Sequence, residues 1–133
     1  MRIVVDSSVL IAALARPGVC TGLLDEVARY HPLVLSAYIL SEVARKLREK
    51  FGLSHSAASN LVLGLERQSE LVEPVAIPTS ACRDLADLPI LGIAVGAKAA
   101  LLITVDKELL ALGEYSRIPI ARPSDFWKRL RAG

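Results

Sequence analysis

Four carboxylates far apart in the chain stand where they can work together: Asp6, Glu42, Asp87 and Asp106. Asp6 closes the β-branched run Ile3-Val4-Val5, and Asp106 closes Leu102-Ile103-Thr104-Val105. In open parallel sheets, ligands bind beyond the carboxyl ends of the strands. If these two strands are neighbours, both carboxylates meet on one rim. Asp87 starts the helix that leads into the Asp106 strand. Glu42 lies early in a helix that begins near Ser36, at the border of the stripe Ile39, Leu40, Val43, Ala44 and Leu47. Like charges brought this close raise one another's pKa unless a cation sits among them. Oxygen-only ligands suit Mg²⁺ or Mn²⁺, and the two histidines, His31 and His55, fall outside the set. One or two such ions activate a water and stabilise both oxygens of an in-line phosphoryl displacement. The chemistry implied is phosphodiester hydrolysis.

Each acid also has a purely structural reading. Asp6, Asp87 and Asp106 stand where helix N-caps belong, a role worth about 1 kcal/mol. Glu42 alone reads as a solvated helix residue, and Asp84 as a solvated loop residue or a support for the ligands. The strand-end placement of Asp6 and Asp106 favours a site over four separate accidents.

The elements that must position these acids follow from local pattern. Strands are expected at Arg2–Val5, Leu33–Leu35, Leu71–Ile77, Ala100–Val105 and Ile118–Ala121. Helices are expected from Ser7-Ser8 through Leu14, from Thr21 to Tyr30, from Ser36 to Phe51 with Gly52 closing, and from Ser54 to Glu70. Further ones run from Leu88 to Lys98 with Pro89 in the first turn, from Lys107 to Leu112, and from Ser124 to Arg131. The strands are short, apolar on both faces and separated by helices. That is the signature of an α/β fold with a parallel sheet covered on both sides.

Composition fits this reading. The 133 residues are expected to form a single domain over 1–133. Hydrophobic residues make up 53% and aromatics 5%, so the core must be aliphatic. Disorder and low complexity are excluded. Sixteen basic against fourteen acidic side chains give +2, so any nucleic-acid binding must come from a local patch. Cys20 and Cys82 lack metal or redox spacing and read as free thiols of a reducing compartment. Asp6 interrupts the first apolar run, which argues against a signal peptide. The longest apolar stretch, Leu91 to Val105, is broken by Lys98 and is too short for a bilayer. The expectation is a cytoplasmic protein without membrane contact.

The four acids and their surroundings resemble the PIN-domain family of ribonucleases. Within it they resemble the toxin components of bacterial and archaeal toxin–antitoxin pairs. Ile3-Val4-Val5-Asp6-Ser7-Ser8-Val9-Leu10 is similar to the family's first strand and leading aspartate, and Ser41-Glu42-Val43 to its helical glutamate. Asp87-Leu88-Pro89-Ile90-Leu91-Gly92-Ile93-Ala94 is similar to its aspartate opening a small-residue helix. Leu102 to Leu110, with Asp106 at its centre, is similar to its last acidic strand end. The ordered set spans nearly the whole chain. Two positions depart from the pattern: Ala86 and Leu88 flank Asp87 where many relatives carry more acids, and Ser8 stands where Asn is frequent.

The resemblance implies a three-layer α/β/α fold around a mainly parallel sheet of about five strands. It implies Mg²⁺- or Mn²⁺-dependent endoribonuclease activity on RNA, a cognate antitoxin that blocks the acidic pocket, and a homodimer. Asp6, Glu42, Asp87 and Asp106 would carry the metal, with Ser8, Asp84 and Thr104 beside them. RNA needs cations around such a pocket, and Arg83, Lys107 and Lys46 are the candidates. The cations Arg45, Lys46, Arg48 and Lys50 also suit the carboxyl end of their helix on dipole grounds. Phe126 and Trp127 read as packing anchors. Two other readings stay open: an RNA-processing nuclease of this fold without a toxin role, and a non-catalytic binding module. An aspartate-nucleophile phosphatase is disfavoured because Ser8 replaces its second acid. A dinucleotide enzyme is disfavoured because no glycine-rich turn follows the first strand.

Overall fold

The computed structural model describes residues 2–15 and 18–132. Along the chain run β1 (Ile3–Val5), α1 (Ser7–Ala15), α2 (Val19–Tyr30), β2 (Leu33–Leu35), α3 (Ala37–Phe51), α4 (His55–Gln68) and β3 (Ser69–Leu71). They are followed by α5 (Leu88–Gly96), β4 (Leu101–Ile103), α6 (Lys107–Leu112), β5 (Glu114–Tyr115), β6 (Ile118–Ala121) and α7 (Pro123–Ala132). Short 3-10 turns at Thr79–Ala81 and Leu85–Asp87 precede α5.

The sheet order is β3-β2-β1-β4-β6-β5. All neighbours are parallel except the β5–β6 hairpin. The chain therefore steps outward from β1 to β3, returns across the sheet, and steps outward the other way. With right-handed crossovers, this reversal puts α1 to α4 on one face and α5 and α6 on the other. Packing agrees: α1 contacts α2 and α3, α3 contacts α4, and α7 lies on α2, whereas α5 meets β1 and α6 meets β6. The strands β1, β2 and β4 are wholly buried and aliphatic, as a covered parallel sheet requires.

Local chemistry sets the helix ends. Ser36 accepts the Ile39 N–H and Ser54 accepts the Ala57 N–H, each capping the helix that follows. Gly52 closes α3 at φ 69°. Phe126 is buried in edge-on contact with His31 and Trp127, which anchors α7. Both cysteines are free. Among the described residues no single helix is long and apolar enough to cross a membrane.

Two sequence expectations need correction. The third strand is Ser69–Leu71 rather than Leu71–Ile77. Beyond Val72, whose N–H still bonds Leu35 O, the segment leaves the sheet and lies on α5, where the Val75 N–H bonds Gly92 O. The sheet also has six strands among the described residues, because β5 adds an antiparallel edge that the sequence did not announce.

Candidate metal centre at the switch point

The strand order reverses between the parallel neighbours β1 and β4, and Val5 lies opposite Ile103 in the register. The crevice beyond such a reversal is where doubly wound sheets take ligands. Asp6 enters it directly after β1, with its N–H bonded to Ile103 O. The cleft there encloses about 130 Å³ and is lined by Asp6, Ser7, Ser8, Glu42, Lys46, Asp84, Asp87 and Asp106, among others. All four acids singled out from the sequence meet in it, together with Asp84.

Asp6 is the most firmly held. Its Oδ1 accepts the Ser7 N–H at 2.7 Å. Its Oδ2 accepts the Thr104 hydroxyl at 2.8 Å and the Ser8 hydroxyl at 3.3 Å. Burial raises its pKa, these three bonds oppose the rise, and the Asp106 charge adds to it. Thr104 is fully buried and also accepts the Asp106 N–H at 3.0 Å. Asp106 Oδ1 accepts the Glu108 and Leu109 N–H groups, so this acid does cap α6 as well as line the cleft. Asp84 Oδ1 similarly caps the turn before α5 through the Ala86 N–H.

Asp87 is different. It occupies the N-cap position of α5 but makes no capping bond. It is 7% exposed, and its Oδ2 is buried without a hydrogen-bond partner. Burial first, then the charges of Asp106, Asp84, Asp6 and Glu108, push its pKa up to about 7. A buried polar atom without a partner is rare in native proteins, and here it faces a collection of acids.

Glu42 comes from α3 and is already neutralised. Lys46 lies 3.4 Å and Arg45 3.7 Å from its Oε1, and the Ser7 hydroxyl donates to its Oε2 at 3.5 Å. Lys46 is thus engaged within the cleft wall, whereas Arg83 and Lys107 line a neighbouring groove.

Two contributors escaped the sequence reading. One is Ser7, which links Asp6 to Glu42. The other is Glu108, which offers a carboxylate oxygen within 4.8 Å of those of Asp84 and Asp87. Its position two residues after Asp106, in the first turn of α6, was the available signal. Burial pushes the Cys82 thiol up, with the neighbouring acids adding to it, so this cysteine is no activated nucleophile.

Only oxygen donors converge here, and most have no cation beside them. That donor set, with an orphaned buried carboxylate oxygen, fits a hard divalent ion. Fold and site together define an α/β domain whose acids are gathered at the switch point of its sheet. Residues 2–108 match the PIN domain family, and the chain belongs to it. The matched span contains every acid of the cleft. Among solved structures, the chain is similar to VapBC2 from Rickettsia felis bound to a DNA fragment from their promoter. The TM-score is 0.69 at 13% identity, over 92% of this chain and 98% of that one. At that identity the likeness establishes the fold. No curated protein matches the sequence.

Proposed function

We propose that this protein is a Mg²⁺- or Mn²⁺-dependent endoribonuclease and the toxin of a toxin–antitoxin pair. The observation that carries the reading is the convergence of Asp6, Asp87 and Asp106 at the β1–β4 switch point, with the Asp87 Oδ2 left unpartnered in its buried position. Asp6, Asp87 and Asp106 would hold the ion, with Glu42 at the fourth corner and Asp84 and Glu108 within reach. A divalent ion bound there supplies positive charge that polarises both an attacking water and a phosphoryl oxygen. Thr104, Ser7 and Ser8 fix the Asp6 oxygens, so that carboxylate needs no reorganisation when substrate arrives. At Asp87, with its pKa raised to about 7, a proton would compete with any cation that the residue helped to hold.

The VapBC2 neighbour supports the toxin role over RNA processing and supports a protein antitoxin as partner. Arg83, Lys107 and Lys46 are assigned to RNA. We further propose a homodimer and a cytoplasmic location.

The test is direct. Purified protein is incubated with RNA in Mn²⁺ or Mg²⁺, in EDTA, and as Asp6→Asn and Asp106→Asn. Internal cleavage that needs the ion and both aspartates is expected. Cleavage that survives EDTA or either substitution would overturn the assignment. Growth arrest on expression, relieved by the product of an adjacent gene, is expected for the toxin role; unimpaired growth would return the protein to RNA processing.

A further inference from the structure

Beside the acid cleft lies a larger groove of about 430 Å³. One wall is Thr79 to Arg83; the other is the outer side of α6, with Lys107, Glu108, Ala111 and Leu112. Two dipeptides mark the boundary between groove and cleft. In Arg83-Asp84 and in Asp106-Lys107 alike, the acid lines the cleft and the base lines the groove. Glu108 lies on the same boundary, with its carboxylate close to those of Asp84 and Asp87.

The cations of this protein are not equivalent. Arg2, Arg45, Lys46 and Arg122 are all engaged in ion pairs. Among the described residues, Arg83 and Lys107 form none; other surface cations such as Arg48, Lys50 and Lys98 form none either, and what sets Arg83 and Lys107 apart is that both line this groove. Two cations without an ion pair, with Glu108 beside them, therefore line a groove that also presents Ala81, Ala111 and Leu112, one residue away from the acids of the cleft. An occupant complementary to this surface carries negative charge at the cation edge and flat or apolar faces against Ala81, Ala111 and Leu112. A polynucleotide strand has both.

We propose that this groove is the track of the substrate RNA on the α6 side of the scissile phosphate. Arg83 and Lys107 would bind flanking phosphates, and a sugar and base would lie against Ala81, Ala111 and Leu112. The proposal rests on the nuclease reading and deepens it. The groove has room for a nucleotide unit rather than a duplex, so the strand is single. No aromatic side chain lines it, so strong base stacking is absent and this subsite tolerates different bases.

The experiment uses the full chain with fluorescently labelled single-stranded RNA. Binding is followed by anisotropy in EDTA over a salt series, and cleavage kinetics are followed in Mn²⁺. Arg83, Lys107 and Ala111 are all exposed, so substitutions there leave the core intact. Arg83→Ala/Lys107→Ala is expected to weaken binding by about tenfold at low salt and to flatten the salt dependence by roughly 0.7 per lost phosphate contact. Its KM rises while kcat holds. Ala111→Trp, which fills the groove, is expected to raise KM without changing the salt slope, and Lys50→Ala on α3 to change neither. If the wild-type protein cleaves RNA but the double variant keeps its KM and salt slope, the groove proposal falls and the nuclease stands. If Ala111→Trp alters the oligomeric state at unchanged KM, the groove is a subunit interface and the proposal falls too. If the wild-type protein neither binds nor cleaves RNA, the nuclease reading falls and takes the groove with it.

Discussion

The Thr104 hydroxyl donates a 2.8 Å hydrogen bond to Asp6 Oδ2 across 98 residues of sequence. The same hydroxyl oxygen accepts the Asp106 N–H. One fully buried side chain thus fixes the carboxylate at the end of β1 and the backbone of the acid after β4. Thr104→Val keeps the shape and removes both bonds. A buried hydrogen bond to a charged group contributes about 1.5–3 kcal/mol, and the loss is expected in that range. Its pH dependence follows from the Asp6 pKa, which burial raises and the Thr104 bond lowers. Without the bond the folded-state pKa rises further, and ionising Asp6 opposes folding more strongly. The variant should therefore lose more stability at pH 8 than at pH 5 in urea unfolding. Equal losses at both would mean that the hydroxyl serves packing rather than the carboxylate.

Asp87 gives a second pH prediction. Its pKa is raised from 3.8 to about 7, by burial first and then by Asp106, Asp84, Asp6 and Glu108. Between those values the folded chain retains a proton that the unfolded chain has released. Stability contributed by the neutral form is complete below pH 3.8 and is lost as pH rises through about 7. Thermal melts of the metal-free protein should show Asp87→Asn more stable than wild type at pH 8, with that advantage gone at pH 4. An unchanged difference across this range would place Asp87 in a solvated setting. Divalent-ion affinity should rise with pH through 7, because ion and proton compete for one carboxylate.

Much of this site is legible in the sequence because strand ends and acids coincide there. Ile3-Val4-Val5-Asp6 and Leu102-Ile103-Thr104-Val105-Asp106 each place a carboxylate where a parallel sheet opens. The structure then makes β1 and β4 neighbours. Leu71–Ile77 has the composition of a strand, yet the glycines of α5 offer residues 73–75 a closer seat than the sheet edge does, so the strand is Ser69–Leu71. The β5–β6 hairpin was invisible for a different reason. Its two-residue turn uses Ser116 and Arg117 at φ 47° and 67°, a geometry that usually demands Asn-Gly. The place of Glu108 depends on the tertiary packing that brings its carboxylate beside those of Asp84 and Asp87, which no local pattern encodes.

The seating of residues 73–75 on α5 predicts opposite outcomes for two helical glycines. A Cβ on Gly92 would stand 2.4 Å from Val75 O and 3.1 Å from Pro74 Cβ. Gly64 in α4 has open space within 4 Å. Helix propensity alone favours alanine over glycine by about 1 kcal/mol at either position. At Gly64 nothing opposes that gain, and Gly64→Ala should stabilise by up to that amount. At Gly92 the clash is with backbone, which cannot rotate away, and overpacking of this kind costs about 1–3 kcal/mol. Gly92→Ala should be net destabilising in urea unfolding. A gain at Gly92 would show that the segment is not seated on α5 in solution.

Ion binding offers a readout independent of cleavage, and it ranks the acids. A ligand that binds only the folded state stabilises it by about 2.7 kcal/mol at a hundredfold excess over Kd. For a domain of this size that is a Tm rise of several degrees, by the usual scaling of about 2–8 °C per kcal/mol. Mn²⁺ should produce such a rise in wild type at pH 8. Asp87→Asn and Asp106→Asn should abolish it, because each removes a cleft carboxylate that has no cation beside it. Glu42→Gln should keep part of it, because Lys46 and Arg45 already balance that charge. Thermal shift against Mn²⁺ concentration separates these cases. A shift that persists in Asp87→Asn would place the ion outside the cleft. A Glu42→Gln protein as insensitive as Asp87→Asn would mean that Glu42 gives up its Lys46 pairing to take the ion.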